Sequence, residues 1–275
     1  MPFTPSHAVV ALPFVRTQLV PAAIAIGSMT PDMPLFVRGL PLDYGRTHDL
    51  PWLPATMMLA LVLLLVWRCI LRPATRNLSP RWLAVRLPAE WDSGAAAGFR
   101  ETFFVTVQNG RQRVRGVGLL MLAFSLGLGV LSHVVWDLFT HEGRVGVNAI
   151  PALDQQWGPL LGYKWLQHGS SAVGLAIIAI WMLLWLRRAD VSPTPALMSS
   201  WVRWTWWLSL PAILLIAWIA GLHQWGPLTT DFTVAHLAYR VLPPACAIWG
   251  VGTLVLAILV QSWQGNRARE SKTAG

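Results

Sequence analysis

Charge is what this chain has least of. Only 12% of its 275 residues are Asp, Glu, Lys or Arg, and 55% are hydrophobic, whereas a soluble globular domain carries about 25% charged residues. That balance excludes an ordinary water-soluble domain. Cysteine is scarce as well. Cys69 and Cys246 stand alone in or beside apolar segments, which excludes a disulfide framework and a Cys-type zinc site. Lysine is reduced to Lys164 and Lys272. There is no GxSxG, no Walker-type loop and no HExxH, so serine hydrolase, nucleotide hydrolase and zincin readings have no support. Residues 1–30 lack a basic n-region and carry Pro13, Arg16 and Pro21 within their apolar run, so no cleavable signal peptide is expected. Internal repeats and low-complexity tracts are absent too.

What the chain does have is long apolar runs. A span needs about 20 apolar residues. Five segments qualify: Leu53 to Ile70, Gly116 to Thr140, Ser170 to Leu186, Trp204 to Leu222 and Ala235 to Gln261. The last contains Pro243-Pro244, where a kink or a broken helix is expected. Many of the 17 Trp flank these runs, among them Trp52, Trp67, Trp165, Trp204 and Trp263. Trp favours the headgroup region because its ring is apolar and its N–H needs a partner. The expected fold is therefore all-α, a polytopic membrane helical bundle of about five spanning helices forming one integral membrane domain over residues 1–275.

The net charge is +9, and its distribution sets a topology. Basic residues gather in Arg68 to Arg115, around Arg187, Arg188 and Arg203, and at Arg267, Arg269 and Lys272. The positive-inside rule explains this alternation, so nucleic acid is not an expected partner; the lipid bilayer is. Residues 72–115 then form a basic cytoplasmic connection and residues 262–275 a cytoplasmic tail. Residues 31–52, 142–169 and 223–234 lie on the opposite face.

The amino-terminal 30 residues can be read in two ways. A sixth span is one. Arg16 in mid-segment, with Pro13 and Pro21 interrupting the helix, favours the other: a hairpin of two short helices. The first starts after a Ser6 N-cap and ends near Pro13, and the second runs from about Pro21 to Ser28. Broken backbone at membrane depth is tolerated where it is buried against protein.

The chemistry concentrates in Ser132-His133-Val134-Val135-Trp136-Asp137-Leu138-Phe139-Thr140-His141. A His, an Asp and a His at successive i, i+4 positions share one helix face. Ionisable groups are costly within a bilayer, so such a row is a functional site by default, and imidazole and carboxylate are the usual ligands of zinc and similar metals. The topology adds His7, if residues 6–28 fold back, together with Asp32, His48 with Asp49, and His168. His133 and Asp137 can chelate one ion. His133 and His141 are separated by about 12 Å along a straight helix, too far to share one. Asp137, with two oxygens, can bridge two metals about 3.5–4 Å apart. His223 and His236 have no acid at a matching spacing and are read as ordinary interfacial residues. Arg46 can meet a substrate anion or simply a headgroup.

The stretches Met1-Pro2-Phe3-Thr4-Pro5-Ser6-His7, Gly27-Ser28-Met29-Thr30-Pro31-Asp32, Arg46-Thr47-His48 and Ser132-His133 through Thr140-His141 resemble a bacterial family of uncharacterised membrane proteins, the domain-of-unknown-function 4184 family. That family looks related to the membrane-bound metal-dependent hydrolases of the domain-of-unknown-function 457 group. The order of ligand-type residues is also similar to the zinc-dependent phospholipase C and P1-type nuclease superfamily, all-helical enzymes with a trinuclear zinc site that hydrolyse phosphoesters. Carried over residue by residue, this resemblance implies that His7, Asp32, His48, His133, Asp137, His141 and His168 are metal ligands. Two departures count against a full three-metal site. That superfamily uses its amino-terminal residue as a ligand, which Met1-Pro2 does not suggest, and it places an acid four residues after its last His, where this chain has Ala172.

The sequence thus leads to a metal-dependent hydrolase embedded in the bacterial cytoplasmic membrane, with its site on the non-cytoplasmic face. It would use zinc or another divalent metal, one to three ions, on a phosphoester such as a phospholipid headgroup. Asp32 and Asp137 are the expected catalytic residues, Asp137 bridging and Asp32 ligating or acting as base. The alternative is a non-catalytic membrane protein whose His/Asp cluster binds metal for stability or transport.

Overall fold

A computed structural model describes residues 3–37, 39, 41–106, 112–114, 116–193 and 197–273, with side chains as far as Asn266. Met1-Pro2 and the side chains of Arg267, Arg269 and Lys272 lie outside the described residues, as does part of the 72–115 connection. The fold is all-α and polytopic. Five helices are long and apolar enough to cross a membrane: Leu50–Leu78, Gly116–Thr140, Gly162–Arg188, Ser200–Trp225 and the stretch Val234–Asn266. Each contains one of the five apolar runs. Short α1 (Pro21–Met29) precedes them. The long helices are α2 (Leu50–Leu78), α3 (Gly116–Thr140), α4 (Gly162–Arg188), α5 (Ser200–Trp225) and α6 (Val234–Thr273).

The amino terminus is a hairpin of two short helices. Thr4–Phe14 is a 3-10 helix and Pro21–Met29 an α-helix, with Arg16 in the turn between them. Ser6 is not the expected N-cap. The helix begins three residues earlier, at Thr4 after extended Phe3, with Pro5 in its first turn. The missing N–H of a proline costs nothing there, because that donor has no helical partner anyway. The 3-10 geometry has three residues per turn, which stacks Thr4 and His7 on one face.

Residues Met1–Pro34, Gly39–Leu64 and Phe103–Arg188 form one compact unit. Its centre is the crossing of α1 on α3, where two glycines meet. A Cβ on Gly129 would sit 2.3 Å from the Ile24 carbonyl oxygen, and one on Gly27 would sit 2.6 Å from that of Leu126. No other residue allows backbones to approach so closely, the small-residue device of packed membrane helices. The Ser125 hydroxyl accepts from the Val20 amide at the head of α1 (3.0 Å). Gly174 of α4 provides the equivalent clearance for Ser6, whose carbonyl oxygen would lie 3.0 Å from a Cβ there. Val147, Leu153 and Tyr163 make a small core beneath the loop between α3 and α4.

The second unit comprises Leu35–Arg38, Leu65–Thr102 and Ala189–Gly275. Its helices α5 and α6 pack through Gly221, over which Val241 and Leu237 close, and through stacked Trp206 and Trp249 (5.7 Å between rings). Helix α6 continues without a break through Pro243-Pro244, so the broken-helix expectation is corrected. Freed carbonyls in membrane helices can be satisfied by small local adjustments. Among the described residues of the basic connection, Ala74 and Leu78 belong to an apolar core with Ala257 and Val260.

Candidate metal centre

Five of the seven residues singled out in the sequence occupy the first unit's interior, and a sixth, His141, is half-buried beside them. His133, Asp32, Asp137, His48 and His7 are buried, at 0, 1, 3, 6 and 9% exposure. Helix α3 supplies His133 and Asp137 one turn apart, and His141 follows just after its end. The Thr30–Asp32 turn after α1 supplies Asp32. The short helix Tyr44–Thr47 ends at His48. The amino-terminal 3-10 helix supplies His7, whose ring stacks on His133 with centroids 4.0 Å apart.

At the centre, His48 Nε2 and His133 Nε2 lie 3.2 Å apart. Asp137 Oδ2 is 3.4 Å from the first and 3.5 Å from the second. Asp32 Oδ1 is 3.9 Å and 3.7 Å from the same two atoms. The protonation of both rings follows from their far sides. His48 Nδ1 sits 2.8 Å from the Tyr44 carbonyl and His133 Nδ1 2.7 Å from the Ser28 carbonyl. A carbonyl only accepts, so each Nδ1 carries the proton and donates it. In a neutral imidazole the other nitrogen is then a bare lone pair. With both rings neutral, two lone pairs and two carboxylate oxygens face one another, an arrangement that calls for a proton or a metal ion among them.

The spacing suits a metal ion. Ligands at about 2.0–2.1 Å in tetrahedral array are about 3.3–3.4 Å from each other, close to the distances observed. Two overlapping triads could hold an ion: Asp32, His48 and His133, and His7, His133 and Asp137. They share His133, whose Nδ1 is already engaged. Among the described residues, His7 Nε2 and Asp32 Oδ1 are buried without a hydrogen-bond partner, as are Arg72 Nε, Asp92 Oδ1, Gln167 Oε1 and Arg203 Nε elsewhere; within this cluster a bound ion would satisfy them.

The surrounding bonds orient this set. The Thr4 hydroxyl donates to Asp32 Oδ2 at 2.7 Å, leaving Oδ1 turned inward. The Thr47 hydroxyl donates to the Pro31 carbonyl at 2.7 Å and so ties the His48 turn to the Asp32 turn. Asp137 meets His141 as well, its Oδ2 lying 3.5 Å from Nδ1. One oxygen of Asp137 therefore serves three imidazoles. Burial, reinforced by the neighbouring His133, pushes His7 down to about 3. Burial also lowers His141, against the pull of Asp137. Both are then neutral at ordinary pH, the state in which imidazole ligates. Burial raises the Asp32 carboxyl, and His133 and the Thr4 hydrogen bond oppose it.

His168 is exposed on α4 and, among the described residues, belongs to neither triad. Its neighbour Gln167 is the residue that turns inward. Gln167 is 1% exposed, and its Nε2 lies 3.4 Å from His141 Nε2. Asp49 is also exposed. Arg46 is occupied by the Pro41 carbonyl at 2.8 Å and by the ring of Trp52. Thr4, Thr47 and Gln167 were not among the expected site residues. The i, i+3 spacing of Thr4 and His7 was a usable signal for the first; the carbonyls of Ser28 and Tyr44 have none.

A helical protein with five candidate membrane spans and a buried cluster of His and Asp that could hold a metal is the class defined by this fold and site. The chain belongs to the domain-of-unknown-function 4184 family, whose model matches residues 1–263. No curated protein and no solved structure matches it.

Proposed function

We propose that this protein is a membrane-embedded, metal-dependent hydrolase of phosphoesters. The observation that carries the reading is the meeting of His48 Nε2 and His133 Nε2 at 3.2 Å beside Asp32 Oδ1 and Asp137 Oδ2. The order of ligand-type residues resembles that of the zinc-dependent phospholipase C and P1-type nuclease superfamily. A bound zinc or similar ion supplies Lewis acidity and brings the pKa of a bound water toward about 7. His48 and His133 hold it through Nε2, and their carbonyl-bound Nδ1 atoms fix the rings and tautomers. Asp137 Oδ2 completes the set and orients His141. Asp32, anchored at Oδ2 by Thr4, presents Oδ1 either as a ligand or as the base that takes a proton from the attacking water. Neutral His7 adds a further donor atom. The charge distribution supports a site on the non-cytoplasmic face.

Complete burial of His133 and near-complete burial of Asp32 favour a second reading, a metal centre that stabilises the fold without catalysis. Elemental analysis of detergent-purified protein, with assays on a panel of phospholipid and nucleotide esters, separates the two. Bound divalent metal with hydrolysis of any ester supports the proposal. Metal without hydrolysis supports the structural centre. Protein that takes up no metal overturns both.

A further inference from the structure

Beside the metal-type cluster lies a cleft of about 410 Å³, within the usual size range for small-molecule sites, about 300–1,000 Å³. Val10, Trp136, Val173 and Ile177 give it apolar walls, and His7 and Ser132 stand among them. Its walls come from the amino-terminal 3-10 helix, α3 and α4, all within the first unit.

Three observations identify its occupant. The first is depth. Val173 and Ile177 lie roughly 16 and 22 Å along α4 from Gly162, the end of the helix nearest the His/Asp cluster. A hydrocarbon core is about 30 Å thick, so a cleft running this far from the helix end reaches toward mid-bilayer. The second is exposure. Val173 is 58% and Ile177 45% exposed, on a helix long and apolar enough to span; what meets them there is lipid, not water. The third is the link to the metal-type site. His7 lines the cleft and belongs to a triad with His133 and Asp137. Its Nε2, in a side chain about nine-tenths buried, has no partner among the described residues. The serines of the cleft do not share this property: the Ser132 hydroxyl donates to the Gly129 carbonyl at 2.7 Å, and Ser170 accepts from the Trp136 indole N–H at 3.2 Å.

We propose that this cleft binds the hydrocarbon tail of a membrane lipid and thereby presents the lipid's polar ester to the His7 side of the metal centre. The occupant is a molecule apolar over most of its length and polar at one end, entering sideways from the bilayer. The headgroup half of this proposal rests on the hydrolase reading above; tail binding does not.

The test uses the full-length protein in detergent and a phosphatidylglycerol with a photoactivatable diazirine near the end of one acyl chain. Labelling is expected on peptides containing Val10, Trp136 and Ile177. Unlabelled phosphatidylglycerol and oleate should compete, and sn-glycerol 3-phosphate should not. Ile177→Trp and Val173→Trp fill the cleft from positions 45 and 58% exposed, where folding tolerates bulk. Either should cut labelling about tenfold, the effect of excluding roughly two methylene groups from an apolar site, with metal content unchanged. Where hydrolysis is measurable, the same variants should raise KM for the long-chain lipid and leave a soluble phosphodiester, bis(p-nitrophenyl) phosphate, unaffected. Labelling that both variants leave unchanged, that glycerol phosphate competes away, or that is equally strong along α5 and α6 overturns the proposal. Loss of cleft labelling in the variants of a protein that hydrolyses nothing sustains the tail site and removes only the hydrolase reading.

Discussion

In the second unit the buried charges come in opposite-sign pairs. Arg76 is 1% exposed; its guanidinium bonds Asp92, the Ser192 hydroxyl and the carbonyls of Ala84 and Pro193. Arg72 meets Glu101 at 2.6 Å, and Arg68 lies 3.9 Å from the same carboxylate. In the first unit the buried His/Asp cluster, with its rings neutral, sets two imidazole lone pairs between two carboxylates. One arrangement is electrostatically closed. The other, with both rings neutral, calls for a proton or a metal ion. Burial alone therefore does not mark a functional site, since Arg76 is as buried as Asp32.

The sharpest way to break this contrast is Asp137→Asn. Removing the carboxylate oxygen that three imidazoles share should reduce metal affinity by more than about 100-fold, beyond the 10–100-fold typical of outer-shell losses, and abolish any phosphoesterase activity. His223→Ala should change neither. Equal metal content in wild type and Asp137→Asn by elemental analysis removes Asp137 from the site.

Arg76→Met probes the closed arrangement. It leaves Asp92, the Ala84 carbonyl and Ser192 without their common donor, and should cost about 3 kcal/mol of stability, in the range for breaking a buried pair. Metal content per folded molecule should stay at the wild-type value. Denaturation monitored alongside metal analysis checks both. A loss of metal in folded Arg76→Met would show that the two kinds of buried charge are not independent.

A smaller effect is expected from Thr4→Val. It removes the hydroxyl that anchors Asp32 Oδ2, so metal affinity should fall about tenfold, the lower end for a lost outer-shell bond, with little change in folding. Titration with a competing chelator measures it. An affinity equal to wild type would mean that Asp32 does not ligate through a fixed Oδ1. The smallest effect belongs to His168→Ala. The side chain is exposed and apart from the cluster, so metal content should not change, whereas Gln167→Leu, which removes the contact to His141, should weaken metal retention.

Much of this was readable before folding was considered. Apolar run length alone located the five spans. Pro13, Arg16 and Pro21 were enough to break the amino terminus into a hairpin and so to bring His7 back to the side of Asp32. The i, i+4 spacing put His133, Asp137 and His141 on one face, because a helix repeats every 3.6 residues. The resemblance named the remaining ligand-type positions; the structure brings them together except at His168 on α4, which is exposed while its neighbour Gln167 faces inward. One residue on a helix rotates a side chain by about 100°, since 3.6 residues complete a turn, and residue type does not report that phase.

Sequence by itself determined the residue types, their order along the chain and the end of each span where they gather, since these follow from local periodicity and from the cost of charge in lipid. Only tertiary structure decided which atoms meet. The Gly27–Gly129 crossing lets α1 approach α3 closely enough for the Ser28 carbonyl to accept a hydrogen bond from His133 Nδ1, and the Thr47 bond to Pro31 brings His48 beside it. Those contacts turn two Nε2 lone pairs inward and make one oxygen of Asp137, rather than both, the hub of the site. Backbone carbonyls at these positions have no signature in the sequence, because every residue has one and only the packing of the chain selects those that matter.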